Sequence, residues 1–423
     1  METTAMVMDD ERPLKFCLLT QYFWPEGGAP PGRLFELCTR LQAMGVQVTV
    51  LTCMPNYPQG RIYDGYRRKL RMTEYKDGLR IIRVIVYPSK SARFLKRMTY
   101  YCSFALNAVL LGLWGLGRQD VLMVESPPLF LGPSALVLGR LTGAKVVFNV
   151  SDVWPLSAIR MGYISGDSRA AKMSFWLEKY MYEHVALVSG TSPGLINDIR
   201  ERFPNVPAAV ITNGADTKKF SPSKADPAVR KTLGLPDGVF AIGYCGLHGL
   251  AQGLDVVIRA ARELRSRKDI RFVLVGDGAV KADLVAEAQR DGLDNILFVP
   301  YQDKSMMPAI VASMDAALVC LGMDLPTIPV KIYEAMASGV PVVAVTGGEL
   351  QEFVEREQVA LRTPIGDGPA LAEAVRRLAD DAELRRTLRT RALDVVKRFD
   401  RDLIAADAVK LLRRVADPAK RKE

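Results

Sequence analysis

Short β-branched runs alternate with amphipathic stretches along almost the whole chain, and this alternation limits the fold more than any other feature. Lys15–Thr20 (KFCLLT) reads as a first strand, followed by a Gly/Pro loop and a helix predicted over Gly32–Met44. Val46–Thr52, Leu79–Val86, Val121–Glu125, Lys145–Asn149 and Ala186–Ser189 continue the series of strands. Strands separated by helices pair in parallel and are covered on both faces. The pattern stops at Asn213–Gly238, which is rich in Pro, Asp, Lys and Ser and reads as a linker. A second series then begins with Val239–Cys245, Arg271–Val275, Asn295–Val299, Ala316–Val319 and Pro341–Ala344. Gly368–Arg414 reads as helical throughout, long enough to fold back across the first domain. The 423 residues exceed one ordinary core and suit two domains of roughly 200 residues each. The predicted class is α/β, with two doubly wound domains over 1–213 and 214–398 and a returning tail over 399–423. Ligands are expected beyond the carboxyl ends of the strands, in a cleft between the domains.

Composition narrows the partners. A hydrophobic fraction of 49% with 25% charged residues fits a folded soluble protein and excludes a disordered one. The net charge of +10 favours an anionic partner, with a solvated basic surface as the competing account. No nucleic acid partner is expected. None of the six cysteines forms a CxxC pair, which suits reduced, mostly buried thiols in a cytosolic protein. Two histidines are too few for a His-rich metal site. The opening METTAMVMDDERPLK has no apolar signal core, so secretion is not expected. Met98–Gly117 is apolar and just reaches the roughly 20 residues that a membrane span needs. A span there would separate the flanking strands across a bilayer, so a buried or interfacial helix is expected instead.

Several segments carry candidate chemistry. In YFWPEGGAPPGR, Gly27 and Gly28 let backbone approach a ligand, and the following helix offers N–H groups to an anion. A tight turn explains the glycine pair equally well, and the segment does not match GxGxxG. Lys145–Pro155 (KVVFNVSDVWP) ends a strand with Ser151, Asp152 and Trp154. A carboxylate and an indole suit a hydroxyl-rich sugar, while Asp152 as a helix cap is the alternative.

The run ITNGADTKKFSP (Ile211–Pro222), then YCGLHGLAQGLD, FVLVGDG and KIYEAMASGVPVV, taken in that order, resembles the retaining family-four glycosyltransferases. The resemblance implies a GT-B architecture, meaning two Rossmann-like domains facing across a cleft with C-terminal helices crossing back to the first. It also implies transfer with retained anomeric configuration and no obligatory metal or other cofactor. A finer likeness is to a bacterial surface-polysaccharide subgroup that includes N-acetylfucosamine transferases. It rests on PNYPQGRIYDGY (Pro55–Tyr66), ESPPLFLG (Glu125–Gly132), SDVWP, GLAQGL (Gly249–Leu254) and TIPVKIYEAMASG (Thr327–Gly339).

Transfer passes through an oxocarbenium-like state while negative charge develops on the departing nucleoside diphosphate. Family members supply an Arg and a Lys from the loop after the second domain's first strand; here those positions are Leu247 and Gln252. Lys331, near the positive end of a helix predicted over Val330–Ser338, is the expected substitute. Glu334 matches the glutamate that binds ribose hydroxyls, but Pro326 stands where another glutamate is usual, and Asp324 nearby receives no role. Many members have His-Asp where this chain has Ser151-Asp152, which makes Asp152 the first domain's candidate to orient the acceptor or take its proton. Gly347-Gly348-Glu349 offers backbone N–H groups to the donor or forms a capped turn. The residues and the resemblance together give Gly246, His248, Gln252, Gly276, Tyr301, Lys331, Glu334, Gly347 and Gly348 as the donor set, with a purely structural His248 as an equal alternative. They give Gly27, Gly28, Ser151, Asp152 and Trp154 as the acceptor set, and Asp152 and Lys331 as the catalytic pair. His184 is expected to be structural, and Asp400-Arg401-Asp402 is read as a chance DxD.

The expected activity moves a sugar from a nucleotide-sugar donor, UDP-linked, to a polyprenyl-diphosphate-linked saccharide in cell-surface polysaccharide synthesis. A sugar-nucleotide epimerase on the same fold and a binding module without catalysis are the competing readings. The expected location is the cytoplasm, with peripheral association at the inner membrane face. Two basic clusters support that association: Arg67, Arg68, Lys69 and Arg71, then Arg93, Lys96 and Arg97. Each basic residue near an anionic leaflet contributes around 1 kcal/mol, although a solvated surface explains the charges as well.

Overall fold

The structure is a computed structural model that describes residues 12–89, 94–160, 162 and 164–417. The opening residues up to Glu11 and Arg93 of the second basic cluster lie outside the described residues. The chain divides into two compact units. The first comprises the chain up to Thr191, Ile196–Ile211 and the segment from Ala405; the second comprises Ser192–Leu195 and Thr212–Ile404.

The first unit holds one eight-stranded sheet. Its strands are β1 (Lys15–Leu19), β2 (Gln47–Cys53), β3 (Arg71–Lys76), β4 (Leu79–Val84), β5 (Val121–Ser126), β6 (Lys145–Val150), β7 (Leu187–Gly190) and β8 (Ala208–Val210). The order is β3-β4-β2-β1-β5-β6-β7-β8. All neighbours pair in parallel except β3 with β4. Phe16, Cys17, Leu18 and Leu19 of β1 are all fully buried, so this strand reads as an unbroken apolar run. Strands are added outward from β1 on one side through β2 and on the other through β5, so the loop after β1 lies at the sheet's switch point. The helix Ala29–Ala43 starts three residues before its predicted start. Pro30 lies in its first turn, where a missing N–H costs nothing.

The second unit is a six-stranded, all-parallel sheet of β9 (Phe240–Cys245), β10 (Ile270–Val275), β11 (Ile296–Val299), β12 (Ala316–Cys320), β13 (Val342–Val345) and β14 (Ala360–Thr363). Its order, β11-β10-β9-β12-β13-β14, is the Rossmann arrangement with the switch point between β9 and β12. Side chains alternate between two apolar layers, Ala241 entering one and Ile242 and Tyr244 the other.

Three expectations need correction. First, β3, β8 and β14 were not predicted. All three are edge strands, short or half-exposed, and lack the apolar run of a central strand. Second, Asn213–Gly238 is not a linker: it carries the helix Pro227–Thr232 and buries Ala215, Phe220, Val229, Leu233 and Leu235 in the second unit's core. Third, the helical tail is broken into Gly368–Asp380, Ala382–Val395 and Arg401–Ala416. Asp381 caps the second of these through the Leu384 N–H at 2.8 Å. The apolar stretch forms a helix as expected, Phe94–Leu110, and no described helix is long and apolar enough to cross a membrane.

Candidate functional site

At the carboxyl ends of β9 and β10, two glycines bring bare backbone together. Gly246 has φ 142° and Gly276 has φ 143°. A Cβ at Gly276 would lie 1.9 Å from the Gly246 carbonyl oxygen, and one at Gly246 would lie 2.5 Å from Lys331 Nζ. Both positions therefore demand glycine. Lys331 stands in the first turn of the helix Val330–Ala337. Its ammonium donates to Tyr244 Oη at 2.6 Å and lies 3.9 Å from that ring's centroid. Burial lowers its pKa to about 8, against smaller upward pulls from Cys245, Cys320 and Glu334. Glu334, one turn along the same helix, lines a small cavity with Lys331 and Cys245.

His248 lies in the loop after β9 and is fully buried. Its backbone N–H donates to the Asp277 carbonyl at 2.9 Å, yet neither ring nitrogen has a hydrogen-bond partner in the described structure. Burial, then the charges of Lys281 and Lys331, lower its pKa to about 4, opposed by Asp277 and the Val275 backbone. The ring is therefore neutral at neutral pH, with one donor to offer. Lys281 was not singled out from the sequence. Its Nζ donates to the carbonyls of Gly276 (2.7 Å) and Val299 (3.2 Å), which puts a second cation at this strand end. The readable signal was a lysine opening the helix just after the glycine loop VGDG.

The remaining donor candidates are less closely gathered. Gln252 Oε1 accepts the Gly249 N–H at 3.1 Å and so holds its own loop. Tyr301 is exposed beyond β11. Gly347 and Gly348 open the helix Gly348–Glu357. A Cβ at Gly348, where φ is 54°, would lie 1.9 Å from Asp324 Oδ1, so Asp324 sits against this helix start. A carboxylate at a helix N-terminus is electrostatically favourable, and Asp324 has a structural place that sequence reasoning did not assign. Glu349 is engaged as well, accepting from Ser192 Oγ (2.5 Å) and Gly194 N–H (2.6 Å).

In the first unit, the loop after β1 is tied down by Glu26. This buried carboxylate accepts the N–H groups of Phe23 (3.2 Å), Asn56 (2.7 Å) and Tyr57 (2.8 Å). Burial raises its pKa, and those N–H groups oppose the rise. Fully buried Arg83 donates to the Cys53 carbonyl at 3.2 Å and also to Glu74 and the Trp24 carbonyl. Gly28 adopts φ 116°, whereas Gly27 has open space around it. Ser151 belongs to a polar chain at the ends of β5, β6 and β7. It accepts from Arg33 at 2.6 Å and donates to Glu125, which also pairs with Arg33. Asn149 donates to Glu125 at 2.6 Å and accepts from Ser189 at 2.8 Å. Arg33 and Glu125 were not identified as site residues, because nothing local links residues so far apart. Asp152 has its pKa raised by burial, opposed by Ser157, the Val153 backbone and Arg160. Half-buried Trp154 keeps a buried indole N–H without a partner.

Other flagged residues have local duties. His184 Nδ1 bonds the Tyr180 carbonyl at 2.8 Å, and its ring stacks on Tyr180 at 4.0 Å. Asp400 accepts from Thr217, and Asp402 pairs with Lys218 at 2.7 Å. Among the described residues, no three His, Cys, Asp or Glu side chains stand together as a metal site, and no disulfide forms.

Residues 239–381 match the family model described as "Glycosyl transferases group 1", and residues 30–214 match "Glycosyl transferase 4-like domain". The chain is 30% identical over 313 residues to WcaI of Escherichia coli K12, named as a colanic acid biosynthesis glycosyl transferase. That alignment covers 72% of this chain and 76% of WcaI. The sucrose-phosphate synthase of Thermosynechococcus elongatus superposes with a TM-score of 0.73 at 19% identity, covering 95% of this chain and 99% of that one. Anabaena HepE, solved with UDP, superposes with a TM-score of 0.70 at 17% identity, covering 95% and 100%. These likenesses identify the fold as GT-B.

Proposed function

The chain belongs to the group 1 glycosyltransferases, and we propose that it is a retaining enzyme that moves a sugar from a UDP-linked donor to a polyprenyl-diphosphate-linked saccharide in assembly of a bacterial surface polysaccharide. The observation that carries this reading is the cluster of Lys331, Lys281 and neutral His248 around the bare backbone of Gly246 and Gly276. Negative charge develops on the leaving diphosphate, and preorganised cations and donors in a site with little water stabilise it strongly. Lys331 and Lys281 stand in for the loop cations replaced by Leu247 and Gln252. His248 donates one N–H to a phosphate oxygen, and Glu334 accepts from the ribose hydroxyls. Gln252, Tyr301 and the N–H groups at Gly347 and Gly348 complete the donor set.

The second unit takes the donor, and the first takes the acceptor through Gly27, Gly28, Ser151, Asp152 and Trp154. Trp154 covers an apolar sugar face and Asp152 accepts from an acceptor hydroxyl. The bond from the anomeric carbon to the phosphate oxygen breaks as the acceptor oxygen bonds to the same face. The acceptor proton passes to the departing phosphate, and Asp152 orients the hydroxyl. No metal is required for this step. UDP bound to HepE supports the nucleotide, and the name of WcaI supports a polysaccharide pathway. The finer likeness to N-acetylfucosamine transferases supports an N-acetylated amino or deoxy sugar. A lipid-linked acceptor also calls for peripheral association with the cytoplasmic membrane face.

Calorimetry with UDP, followed by turnover with a panel of UDP-sugars and lipid-linked acceptors, tests the proposal. Lys331→Ala is expected to weaken UDP binding by about tenfold or more, the scale of a lost charged hydrogen bond. Unchanged affinity and turnover in that variant would overturn the assignment of Lys331.

A further inference from the structure

A second cavity, of about 500 Å³, opens in the second unit away from the residues just described. Its wall includes Met314 and Asp315, which precede β12, and Pro341, which precedes β13. It therefore lies at the amino ends of a parallel sheet whose carboxyl ends carry Gly246 and Gly276. Strands of this length place about 15 Å between the two ends.

Charge distinguishes this cavity. Arg230, Arg385, Arg386 and Arg389 line it, against Asp226 and Asp315. Both carboxylates are already engaged. Asp315 accepts from Arg230 and from the Ala241 N–H, each at 2.8 Å, and Asp226 caps the helix Pro227–Thr232 through the Ala228 N–H at 2.8 Å. Arg385 donates to main-chain carbonyls, Leu378 and, at 2.9 Å, Ala379, and no acid among the described residues neutralises it. Arg386 pairs with Glu383 at 2.6 Å, but both side chains are about 70% exposed, and a solvated pair of this kind is weak. Arg389 forms no hydrogen bond or ion pair among the described residues. Arg385 and Arg386 stand at the fourth and fifth positions of the helix Ala382–Val395 and Arg389 one turn further on, so the helix presents all three to the same cavity. Their convergence on one cavity is what recognition of an anion requires. The volume falls in the range of small-molecule sites, and guanidinium forks match phosphate oxygens.

The cavity also touches the donor helix. Ser338 and Gly339 line it and close the helix Val330–Ala337, which carries Lys331 and Glu334. That helix is only about 12 Å long. Its closing turn is tightly packed: a Cβ at Gly339, where φ is 65°, would lie 3.0 Å from Pro222 and 3.3 Å from Arg389 Nε. We infer that the cavity binds a small phosphate-bearing metabolite and that its occupancy is felt at the nucleotide through this short helix. The coupling rests on the donor site proposed above; the anion site does not.

Inorganic pyrophosphate is the probe, titrated at constant ionic strength into the full chain with UDP already saturating. One equivalent is expected to bind, and UDP affinity is expected to shift by roughly fivefold, within the usual range of coupling between sites. The double variant Arg386→Ala/Arg389→Ala changes exposed helical positions to a good helix former. It is expected to lose pyrophosphate affinity by about tenfold or more, lose the shift, and bind UDP as the parent does. Pyrophosphate that binds only by displacing UDP, binds the double variant equally well or leaves UDP affinity unchanged would overturn the inference. If UDP itself does not bind, the donor reading fails, and loss of pyrophosphate binding in the double variant still tests the cavity.

Discussion

At the scale of the residue, Lys331 and His248 are both held away from their ordinary titration ranges because burial disfavours their charged forms. Lys331 has a folded pKa of about 8. A bound diphosphate favours the ammonium and pulls that value up, so binding takes up a proton. UDP affinity is therefore expected to fall as pH rises past 8, by at most about tenfold per pH unit; Lys331→Ala removes the slope, as calorimetry across pH 7 to 9.5 will show. His248 has a folded pKa of about 4, below the ~6.5 of an unfolded histidine. Between those values the unfolded chain binds more protons, so this residue makes stability fall as pH falls from ~6.5 towards 4. His248→Gln is expected to flatten that loss, measured as the urea midpoint at pH 7 and pH 5. Asp152, Glu334 and Lys331 were readable as candidates because each sits beside a motif. Lys281 follows VGDG and Glu125 opens ESPPLFLG, yet their roles, like that of Arg33, come from partners that a motif does not show: Arg33 and Glu125 are 92 residues apart in sequence.

Elements explain why the glycines at the strand ends matter more than their loops. Gly246 and Gly276 follow neighbouring parallel strands, and the register pairing Cys245 with Val275 brings them side by side. Gly276→Ala would drive a methyl group into the Gly246 carbonyl. A loss of about 1–3 kcal/mol in urea unfolding, the usual cost of overpacking, is expected together with weakened UDP binding. Central strands such as β1 and β12 were legible as continuous apolar runs. The edges were not, although one carried a signal. Asp77 and Gly78, with φ values of 49° and 79°, form a two-residue turn joining β3 to β4, and Asp-Gly is a preferred pair for such a hairpin. RMTEYK itself has no apolar run to mark a strand, and an edge strand does not need one.

For the whole molecule, the chain's last segments are structural parts of what precedes them. Phe399 packs on Tyr333 at 4.8 Å and Phe353 at 5.6 Å, and Asp400 bridges to Ala215 within the second unit. Phe399→Ala is expected to cost about 2–3 kcal/mol in equilibrium unfolding, less than the roughly 3–5 of a fully buried phenylalanine, because the ring is half-buried. The surface of the first unit supports the membrane reading. Leu106 (59%) and Leu110 (57%) are exposed on the helix Phe94–Leu110, and Trp114 (74%) follows, with Lys96 exposed at the other end. Co-sedimentation with anionic vesicles is expected, weakened by salt and by Leu106→Asp/Leu110→Asp; equal pelleting of parent and variant would remove this helix from the contact. The sequence by itself determined two parallel α/β sheets, since strands spaced by helices have few other ways to pair and bury apolar runs. It also carried the family motifs and the absence of two loop cations. Only the tertiary structure decided that Lys331 meets Gly246, that Lys281 joins it, that Asp324 lies against Gly348, and that four arginines gather at the far end of the sheet. Those meetings depend on strand order and on close backbone approach between distant segments, which no local periodicity encodes.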